Sequence, residues 1–267
     1  VYKPISKELL RLEFEIKDQI QRIDNKHSII KKALHYYFNK KGKYLRPALV
    51  LLSVKSVNGH KRKLDYSAIS LAAAVELIHN ASLIHDDIVD NEEMRRGVIS
   101  LNKKFSSEVA MLIGDIVYTR AFLLLIKKVD KRILKIITKC IQKMCIGEIE
   151  ELEKSTFCLK KYLKIIELKT ASLMATCCEI GAILGGGDKK SVQILKNYGL
   201  NFGFAFQLID DYKDNEMLKC KPKIGESGLL KLAKKYADES KRFAKKIPNP
   251  IIRENFHRLT DYIISMN

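Results

Sequence analysis

The chain contains two copies of the pattern Asp-Asp-x-x-Asp, and each copy closes a stretch whose apolar residues recur at spacings of three and four. The first is Asp86-Asp87-Ile88-Val89-Asp90, and the second is Asp210-Asp211-Tyr212-Lys213-Asp214. On a helix, positions i and i+4 share a face, so the first and last Asp of each copy project together. Crowded carboxylates repel one another unless a cation joins them, and such oxygen ligands suit Mg²⁺. One copy alone would be typical of an exposed acidic helix end, but two copies favour a site for Mg²⁺ and a diphosphate.

The rest of the sequence predicts an all-α fold. The chain has 267 residues with only five Pro and no Trp, and no Gly/Ser/Pro-rich linker divides it. Helical spacing of apolar residues dominates throughout, which favours helices over strands. We therefore expect one all-α domain over residues 1–267, built as an antiparallel bundle of long helices.

The charge and the cysteines limit the possible partners. The net charge of +18 suits nucleic acid, an anionic membrane or phosphorylated substrates, although a solvated Lys-rich surface accounts for most of the lysines. No nucleic-acid motif is present, so we expect no nucleic-acid partner. The six cysteines form no Cys-x-x-Cys pair, which favours reduced thiols. No apolar run approaches the roughly 18 residues that span a bilayer. We expect a cytoplasmic protein, or an organellar one if a leader has been removed.

A basic turn follows the first predicted helix. Residues 5–38 have amphipathic spacing, and Lys41-Gly42-Lys43-Tyr44-Leu45-Arg46-Pro47 comes next. Gly42 permits an unusual backbone turn, and Pro47 suits the first position of a helix. Backbone N–H groups at that helix start favour an anion. The apolar residues expected to face inward from the first helix are Leu9, Leu10, Leu12, Ile16, Ile20 and Ile23.

The predicted helix from Ser67 to Asn91 is apolar nearly all round and should be central and buried. It nevertheless carries Glu76, His79 and His85, and polar groups are costly to bury without partners. They should therefore line a polar pocket. His79 lies two turns before Asp86 on the same face, which favours a ligand contact over a structural role. Beyond the helix, Arg95-Arg96 could form surface ion pairs, but the neighbouring carboxylates favour a grip on phosphate.

Further helices are predicted along the remaining chain, and several carry short motifs. The predicted helices cover residues 101–126, 130–153, 162–181, 191–215, 229–246 and 251–266. The motifs are Gly114-Asp115, Gly147-Glu148, Lys169-Thr170-Ala171 and Phe206-Gln207. Gly185-Gly186-Gly187 is predicted to be a loop, since it lacks the strand and helix that flank a phosphate cradle.

Together these motifs resemble those of the trans-isoprenyl diphosphate synthases, also called polyprenyl synthetases, and especially the long-chain members. The resemblance spans nearly the whole chain, with seven motifs in family order. Three of the seven are Gly42-Lys43-x-x-Arg46-Pro47, His79-x-Ala81-Ser82-Leu83-Ile84-His85 leading into the first Asp motif, and Arg95-Arg96-Gly97. The other four are Gly114-Asp115, Gly147-Glu148, Lys169-Thr170-Ala171, and Phe206-Gln207 leading into the second Asp motif.

The resemblance implies a bundle around a deep cavity, usually as a homodimer, with the two Asp motifs facing each other and holding three Mg²⁺. It implies that Asp86, Asp90 and Asp210 are the chief metal ligands, supported by Asp87, Asp211 and Asp214. It assigns the allylic diphosphate to Arg95, Lys169 and Lys221. It assigns the diphosphate of isopentenyl diphosphate to Gly42, Lys43, Arg46, His79 and Arg96. It places Thr170 and Gln207 near the carbocation.

The implied reaction joins an allylic diphosphate to isopentenyl diphosphate. The diphosphate leaves with the bonding electrons, and Mg²⁺, Lys and Arg neutralise its developing charge. The double bond of isopentenyl diphosphate attacks the allylic cation, and a proton then leaves to the departed diphosphate. No dedicated protein base is required, and an apolar cavity keeps water from the cation.

Several alternatives stay open at this point. A short-chain synthase that makes farnesyl or geranylgeranyl diphosphate is the nearest. A terpene cyclase or head-to-head synthase is disfavoured by the second-substrate motif at Gly42–Pro47. A non-catalytic subunit of a heteromeric synthase would be expected to have lost its Asp motifs. A basic nucleic-acid-binding protein is the most distant alternative, and it would show salt-sensitive binding.

The sequence departs from the family at two kinds of position. Lys213 lies inside the second Asp motif, where it could weaken metal binding or point to solvent. Segments expected near Thr156–Phe157 and after Gly225 are shortened. We expect either a reduced member of the family or breaks in the backbone at those two places.

The product length follows from the side chains that precede Asp86. The tail should grow along the central helix toward its N-terminus. In short-chain members bulky residues next to the Asp motif close the floor of the pocket, whereas Ala81 and Ser82 are small, with Val75 and Ile78 as apolar walls below them. Small residues also serve helix packing. We predict an open floor and a long-chain product, which Ala81→Phe should shorten.

Overall fold

The structure is a computed structural model that describes residues 2–23, 27–40, 42–58, 64–126, 128–153, 158–213 and 225–265. These residues are almost entirely helical, which confirms the predicted all-α class. The α-helices are α1 (Ser6–Gln21), α2 (Ser28–Phe38), α3 (Leu45–Asn58), α4 (Tyr66–Val89), α5 (Leu101–Lys104), α6 (Ser107–Ile126), α7 (Lys131–Leu152), α8 (Leu159–Ile166), α9 (Ser172–Leu184), α10 (Lys189–Lys213), α11 (Gly225–Ala244) and α12 (Pro250–Ser265). A 3₁₀ turn (Lys3–Ile5), a hairpin of β1 (Met94–Arg95) and β2 (Val98–Ile99), and a π-turn (Glu167–Ala171) complete the fold.

The helices form two compact units. The first unit comprises Val1–Ser6, Ala48–Leu64 and Asp130–Asn267, and the second comprises Lys7–Pro47 and Asp65–Val129. Each unit carries one of the two Asp motifs. The single domain over residues 1–267 stays a prediction.

Helix α4 is the core of the second unit, as its composition predicts. Asp65 caps its N-terminus, because the Asp65 carboxylate accepts a hydrogen bond from the Ala68 backbone N–H at 3.0 Å. The residues from Ala68 to Ile78 are all buried. Helix α6 packs along α4 within this unit. The carboxyl end of α4 therefore lies on a rigid support, and the first Asp motif begins there.

The N-terminal segment differs from its prediction. Residues 5–38 contain two helices, α1 and α2, rather than one. Leu12 and Ile16 are buried as expected, but Leu10 is 69% exposed. Each residue turns a helix by about 100°, so a residue two positions before Leu12 cannot share its face. The buried face of α1 instead includes Glu15, whose carboxylate accepts from Gln19 at 2.8 Å.

The predicted helix over residues 101–126 is interrupted. Helix α5 ends at Lys104 and α6 begins at Ser107. The Ser106 hydroxyl accepts a hydrogen bond from the Val109 backbone N–H at 3.2 Å, which satisfies one of the unpaired donors of the new helix. A local cap therefore overrides the continuous apolar pattern.

The first unit packs α9 and α10 at close range. A Cβ at Gly199 of α10 would lie 2.5 Å from the Met174 carbonyl oxygen of α9, so only glycine permits this approach. Tyr198 of α10 is fully buried, and its hydroxyl donates to the Phe256 carbonyl of α12 at 2.9 Å. This contact holds α10 in register, and the second Asp motif begins at the end of α10.

Two helices of the described chain meet the length and apolarity of a membrane span, so the expectation that none would do so is wrong. They are Tyr66–Val89 and Ser107–Ile126. In the most apolar 18-residue stretch of each helix, 78% of the first and 39% of the second is buried. A core helix of a globular unit meets the same criterion, and α4 is such a helix.

The sequence predicts backbone breaks at two places, and the structure describes only one of them. Gly225 and Glu226 are consecutive residues of α11, so the predicted break is wrong at this pair. Thr156–Phe157 lie outside the described residues. The Gly185–Gly187 triplet follows the end of α9, as predicted for a loop.

Candidate active site

In the second unit, a tight hairpin presents the two adjacent arginines. Met94 pairs with Ile99 and Arg95 with Val98, which leaves Arg96 and Gly97 as the two-residue turn. Their φ angles are 53° and 75°, so both residues are left-handed, as a type I′ turn requires. A non-glycine residue rarely adopts this conformation. The side-chain contacts of Arg96 therefore have to stabilise the turn.

Arg96 reaches back to α2 and α4. Its guanidinium donates to the Asn80 side-chain oxygen at 3.1 Å and to the Lys40 carbonyl at 3.2 Å. It also lies over the Tyr37 ring, 6.0 Å from the ring centre. The Asn80 amide in turn donates to the Glu76 carboxylate at 3.3 Å. Asn80 thus couples Arg96 to a buried acid.

Glu76 is the acid of this cluster, and it is 4% exposed. Burial raises its pKa, while Arg46 and Arg96 lower it. A Cβ at Gly42 would lie 3.2 Å from the Glu76 Oε1 atom. Gly42 therefore serves close approach to this carboxylate. The left-handed residue of the basic turn is Tyr44, with φ of 52°, and not Gly42 as the sequence predicted.

Arg46 and His79 form the second contact of the cluster. Their Nη1 and Nε2 atoms are 2.9 Å apart. Because guanidinium only donates, the Nε2 atom of His79 must accept, which leaves the proton on Nδ1. Burial lowers the pKa of His79 well below its ordinary value, and the neighbouring arginines lower it further. His79 is therefore neutral and offers one N–H donor.

The helix that follows the basic turn begins earlier than the sequence predicts. Helix α3 begins at Leu45, two residues before Pro47, so Pro47 occupies the third helical position. Proline is tolerated there because the N–H groups of the first turn lack helical partners. Lys43 is exposed and Arg46 is half-buried. The structure places Arg46 and Arg96 near His79, and their predicted role in binding a diphosphate stays a prediction.

The first Asp motif closes α4 with helical geometry. The Asp90 backbone N–H donates to the Asp86 carbonyl at 2.8 Å, so both residues stay on one face. Asp87 points elsewhere and is fully buried. The Arg95 Nε donates to the Asp87 Oδ1 at 2.7 Å, and the Arg95 Nη2 donates to the same oxygen. Asp87 therefore fixes the guanidinium of Arg95.

His85 and Gly114 form a small satellite of this site. The His85 Nε2 lies 3.2 Å from the Met111 carbonyl and 3.5 Å from Asp115. A Cβ at Gly114 would collide with the His85 ring. The Gly114-Asp115 motif thus makes room for His85 and faces it with a carboxylate.

In the first unit, a π-turn carries Lys169 and Thr170. The Ser172 backbone N–H donates to the Glu167 carbonyl five residues earlier, which widens the helix by one residue. Gly147 of α7 allows the close packing, because a Cβ there would lie 2.7 Å from the Leu168 Cβ. The Gly147-Glu148 motif thereby brings α7 against the π-turn.

Lys169 is held by two acids of α7. Its ammonium lies 2.6 Å from the Glu148 carboxylate and contacts Glu151 as well. Burial lowers the pKa of Lys169, but Glu151 and Glu148 raise it, and the net shift is upward. Lys169 therefore stays charged. The sequence predicts no role for either glutamate, although Glu148 belongs to the Gly147-Glu148 motif.

A chain of hydrogen bonds joins the π-turn to the second Asp motif. The Thr170 hydroxyl donates to the Gln207 Oε1 at 2.7 Å, and the Gln207 Nε2 donates to the Asp211 Oδ1 at 2.9 Å. The Tyr162 hydroxyl donates to the Asp211 Oδ2 at 2.5 Å. Burial raises the pKa of Asp211 to about 6, while the bonds from Tyr162 and Gln207 lower it. Tyr162 was missed, since it lies 49 residues from Asp211.

The remaining predicted site residues are placed as follows. Asp210 is half-buried in α10, and Lys213 is the exposed last residue of that helix. Lys213 thus points to solvent, one of the two alternatives considered. Asp214 and Lys221 lie outside the described residues. Ala81 and Ile78 are fully buried, whereas Ser82 is half-buried.

The carboxylates fit a hard divalent cation in their chemistry. Asp86 and Asp90 share a face, and oxygen ligands of this kind suit Mg²⁺. The Asp87 Oδ2 is buried and accepts no hydrogen bond within the described residues, a condition that suits a nearby cation. No three His, Cys, Asp or Glu side chains converge as a complete ligand set in the part of the chain described here.

Comparison with known proteins agrees with this geometry. The sequence matches the family described as polyprenyl synthetase over residues 27–221. It is 38% identical to a short chain isoprenyl diphosphate synthase of Methanothermobacter thermautotrophicus, covering 65% of this chain and 54% of that protein. It is 35% identical to a decaprenyl-diphosphate synthase of Dictyostelium discoideum, covering 70% and 41%. The chain thus spans about half the length of these relatives.

A solved structure gives the same result for the fold. A polyprenyl synthase from Caulobacter crescentus CB15, complexed with calcium and isoprenyl diphosphate, is similar with a TM-score of 0.86 and 26% identity. The similarity covers 98% of this chain and 95% of that one. The all-α fold and its two Asp motifs define an isoprenoid synthase scaffold. The chain belongs to the polyprenyl synthetase family.

Proposed function

We propose that this protein is a Mg²⁺-dependent trans-prenyltransferase that condenses an allylic diphosphate with isopentenyl diphosphate. One observation carries the proposal: Arg46 bonds His79 and Arg96 lies near it, and His79 shares a face of α4 with Asp86 and Asp90. Two guanidinium groups beside a neutral imidazole donor suit the oxygens of a diphosphate. This is the predicted site of isopentenyl diphosphate.

The allylic diphosphate would lie at the Asp motifs. Asp86, Asp90 and Asp210 would hold the metal, with three Mg²⁺ expected. Bound there, the metal would neutralise the charge of the departing diphosphate. Arg95, oriented by Asp87, and Lys169 would bind the same diphosphate. The carbon–oxygen bond breaks, the double bond of isopentenyl diphosphate forms the new carbon–carbon bond, and a proton leaves to the released diphosphate.

The protein acts as a homodimer in this proposal. Helix α6 leaves an apolar row exposed in the described chain: Met111, Leu112, Leu123 and Ile126 are 49%, 56%, 51% and 62% exposed. Water contact of so many apolar side chains on one helix is unfavourable, so a second copy would stabilise them by covering them. The cytoplasm, or an organelle if a leader is removed, is the proposed location.

The test uses the purified protein. Incubation with Mg²⁺, farnesyl diphosphate and radiolabelled isopentenyl diphosphate should yield longer prenyl diphosphates, and EDTA should abolish the product. The same protein should have the mass of two chains by light scattering. Tight binding of RNA or DNA without condensation would contradict the proposal, as would condensation that survives EDTA.

We further propose a long-chain product, which rests on the small residues of α4. The relatives include both short-chain and decaprenyl synthases, so similarity alone favours neither length. Ala81 is fully buried, so the substitution suggested by the sequence would overpack the core, at a cost of about 1–3 kcal/mol. Ser82 is half-buried and lies one turn, about 6 Å, before Asp86. It is the better position for a test.

Ser82→Phe should shift the product toward farnesyl and geranylgeranyl diphosphate, because the ring would close the space beneath the allylic site. Ser82→Ala is the matched control and should keep the wild-type product length, since it adds no bulk. Chain length is measured by chromatography of the dephosphorylated products. A Phe variant that makes wild-type products would contradict the open floor.

A further inference from the structure

The buried tyrosine Tyr162 of α8 has no role in the reaction as described so far. It is 3% exposed, and its hydroxyl lies 2.5 Å from the Asp211 Oδ2. The other oxygen of Asp211 accepts from Gln207. Both oxygens of this carboxylate are thus engaged by protein donors. Asp211 is the carboxylate at the end of a hydrogen-bond chain.

The direction of each hydrogen bond in this chain is determined by its members. A carboxylate only accepts, so Asp211 requires the amide nitrogen of Gln207 to face it. The amide oxygen of Gln207 must then face Thr170, where an oxygen acceptor requires the hydroxyl to donate. The Thr170 hydroxyl has one proton, and that proton is directed at Gln207. Any group that approaches the Thr170 oxygen from elsewhere meets lone pairs.

Lone pairs suit a site where positive charge develops. Under the proposed function, on which this inference rests, the allylic carbon next to Thr170 gains positive charge as diphosphate leaves. An oxygen that presents lone pairs stabilises that charge, whereas a hydroxyl proton directed at the carbon would oppose it. The polarity of the chain therefore matters for the rate of ionisation.

We propose that Tyr162 is a positioning residue that fixes this polarity. Its hydroxyl holds Asp211, Asp211 orients the Gln207 amide, and Gln207 orients the Thr170 hydroxyl. The π-turn contributes by placing Thr170 within reach of α10. Tyr162 itself contacts neither substrate in this arrangement. Its effect on catalysis passes through three hydrogen bonds.

The first experiment compares two tyrosine variants. Tyr162→Phe should lower kcat roughly 10-fold or more, the range found for partners that orient a functional group, with little change in KM for isopentenyl diphosphate. Tyr198→Phe is the matched control, because it removes another buried hydroxyl of the same unit, which bonds the Phe256 carbonyl instead. It should leave kcat at the wild-type value. Circular dichroism and thermal unfolding report whether both variants fold.

The second experiment is a double-mutant cycle with Thr170→Val. If Tyr162 acts through Thr170, the double variant should be no slower than the slower single variant. Independent structural damage would instead multiply the two losses. Multiplied losses, or a Tyr162→Phe variant with wild-type kcat, would overturn the positioning role while leaving the proposed function intact. A wild-type protein that condenses nothing would overturn both.

Discussion

Asp86→Ala and Asp210→Ala should each lower kcat by roughly 10³-fold, because under the proposed function each removes an oxygen ligand from the ions that stabilise the departing diphosphate. Asp86 lies on the face of α4 that Asp90 shares, and Asp210 lies at the corresponding position of the second motif. Initial rates of condensation at saturating Mg²⁺ measure the effect. Near-normal turnover in either variant would contradict the assigned metal role.

The matched control for these variants is Asp238→Ala. Asp238 is an exposed aspartate of α11, so its removal has the same chemistry without touching either motif. It should keep the wild-type rate. All three variants should show the wild-type circular dichroism spectrum, since neither Asp86 nor Asp210 is part of the apolar core. Loss of helicity in the Asp86 or Asp210 variant would mean that folding rather than chemistry had failed.

Lys169→Met should lower kcat by roughly 10²-fold and raise KM for the allylic diphosphate. The substitution removes a cation from the proposed diphosphate site and leaves Glu148 and Glu151 without their shared partner. Two carboxylates near an anionic substrate add repulsion to the loss of attraction. The effect should therefore exceed that of a lost contact alone.

A triple variant separates these two contributions. Lys169→Met combined with Glu148→Gln and Glu151→Gln removes the repulsion, so it should recover about 10-fold of the loss, equivalent to about 1.4 kcal/mol. The control is the pair of Gln substitutions with Lys169 intact. If the triple variant is as slow as Lys169→Met, the two glutamates do not act on the bound diphosphate.

Much of the fold could be predicted from apolar spacing, and the errors have local causes. Helix α4 was predicted within two residues of its ends, because its apolar run is long and Asp65 caps it. The break between α5 and α6 at residues 105–106 depends on the cap by Ser106. The apolar spacing continues through these residues, so it does not indicate the break. Leu10 was assigned to the wrong face, because the periodicity of α1 tolerates one misplaced apolar residue.

The residues of the candidate site could be predicted where they belong to short motifs. They could not be predicted where they depend on contacts between residues far apart in the sequence. Arg46, His79 and Arg96 were identified by type and spacing, and the structure brings them together. The hydrogen bond from Arg96 to Asn80 forms because the hairpin turn brings the two residues together. The sequence does not predict that turn, because its first residue is an arginine in the left-handed conformation, which usually favours glycine. Their relation to the second Asp motif in space stays a prediction.

The π-turn at Glu167–Ala171 makes the segment that carries Lys169 and Thr170 more sensitive to chain length than to side-chain identity. The turn accommodates one residue more than a regular helix would over the same rise. Deleting one residue there would restore a regular helix with the flanking helices in register, but it would change the direction in which the residues of the turn itself point. Lys169 and Thr170 could keep their identities and still face the wrong neighbours. Natural variation in this segment should therefore consist of substitutions, with the number of residues between α8 and α9 held constant.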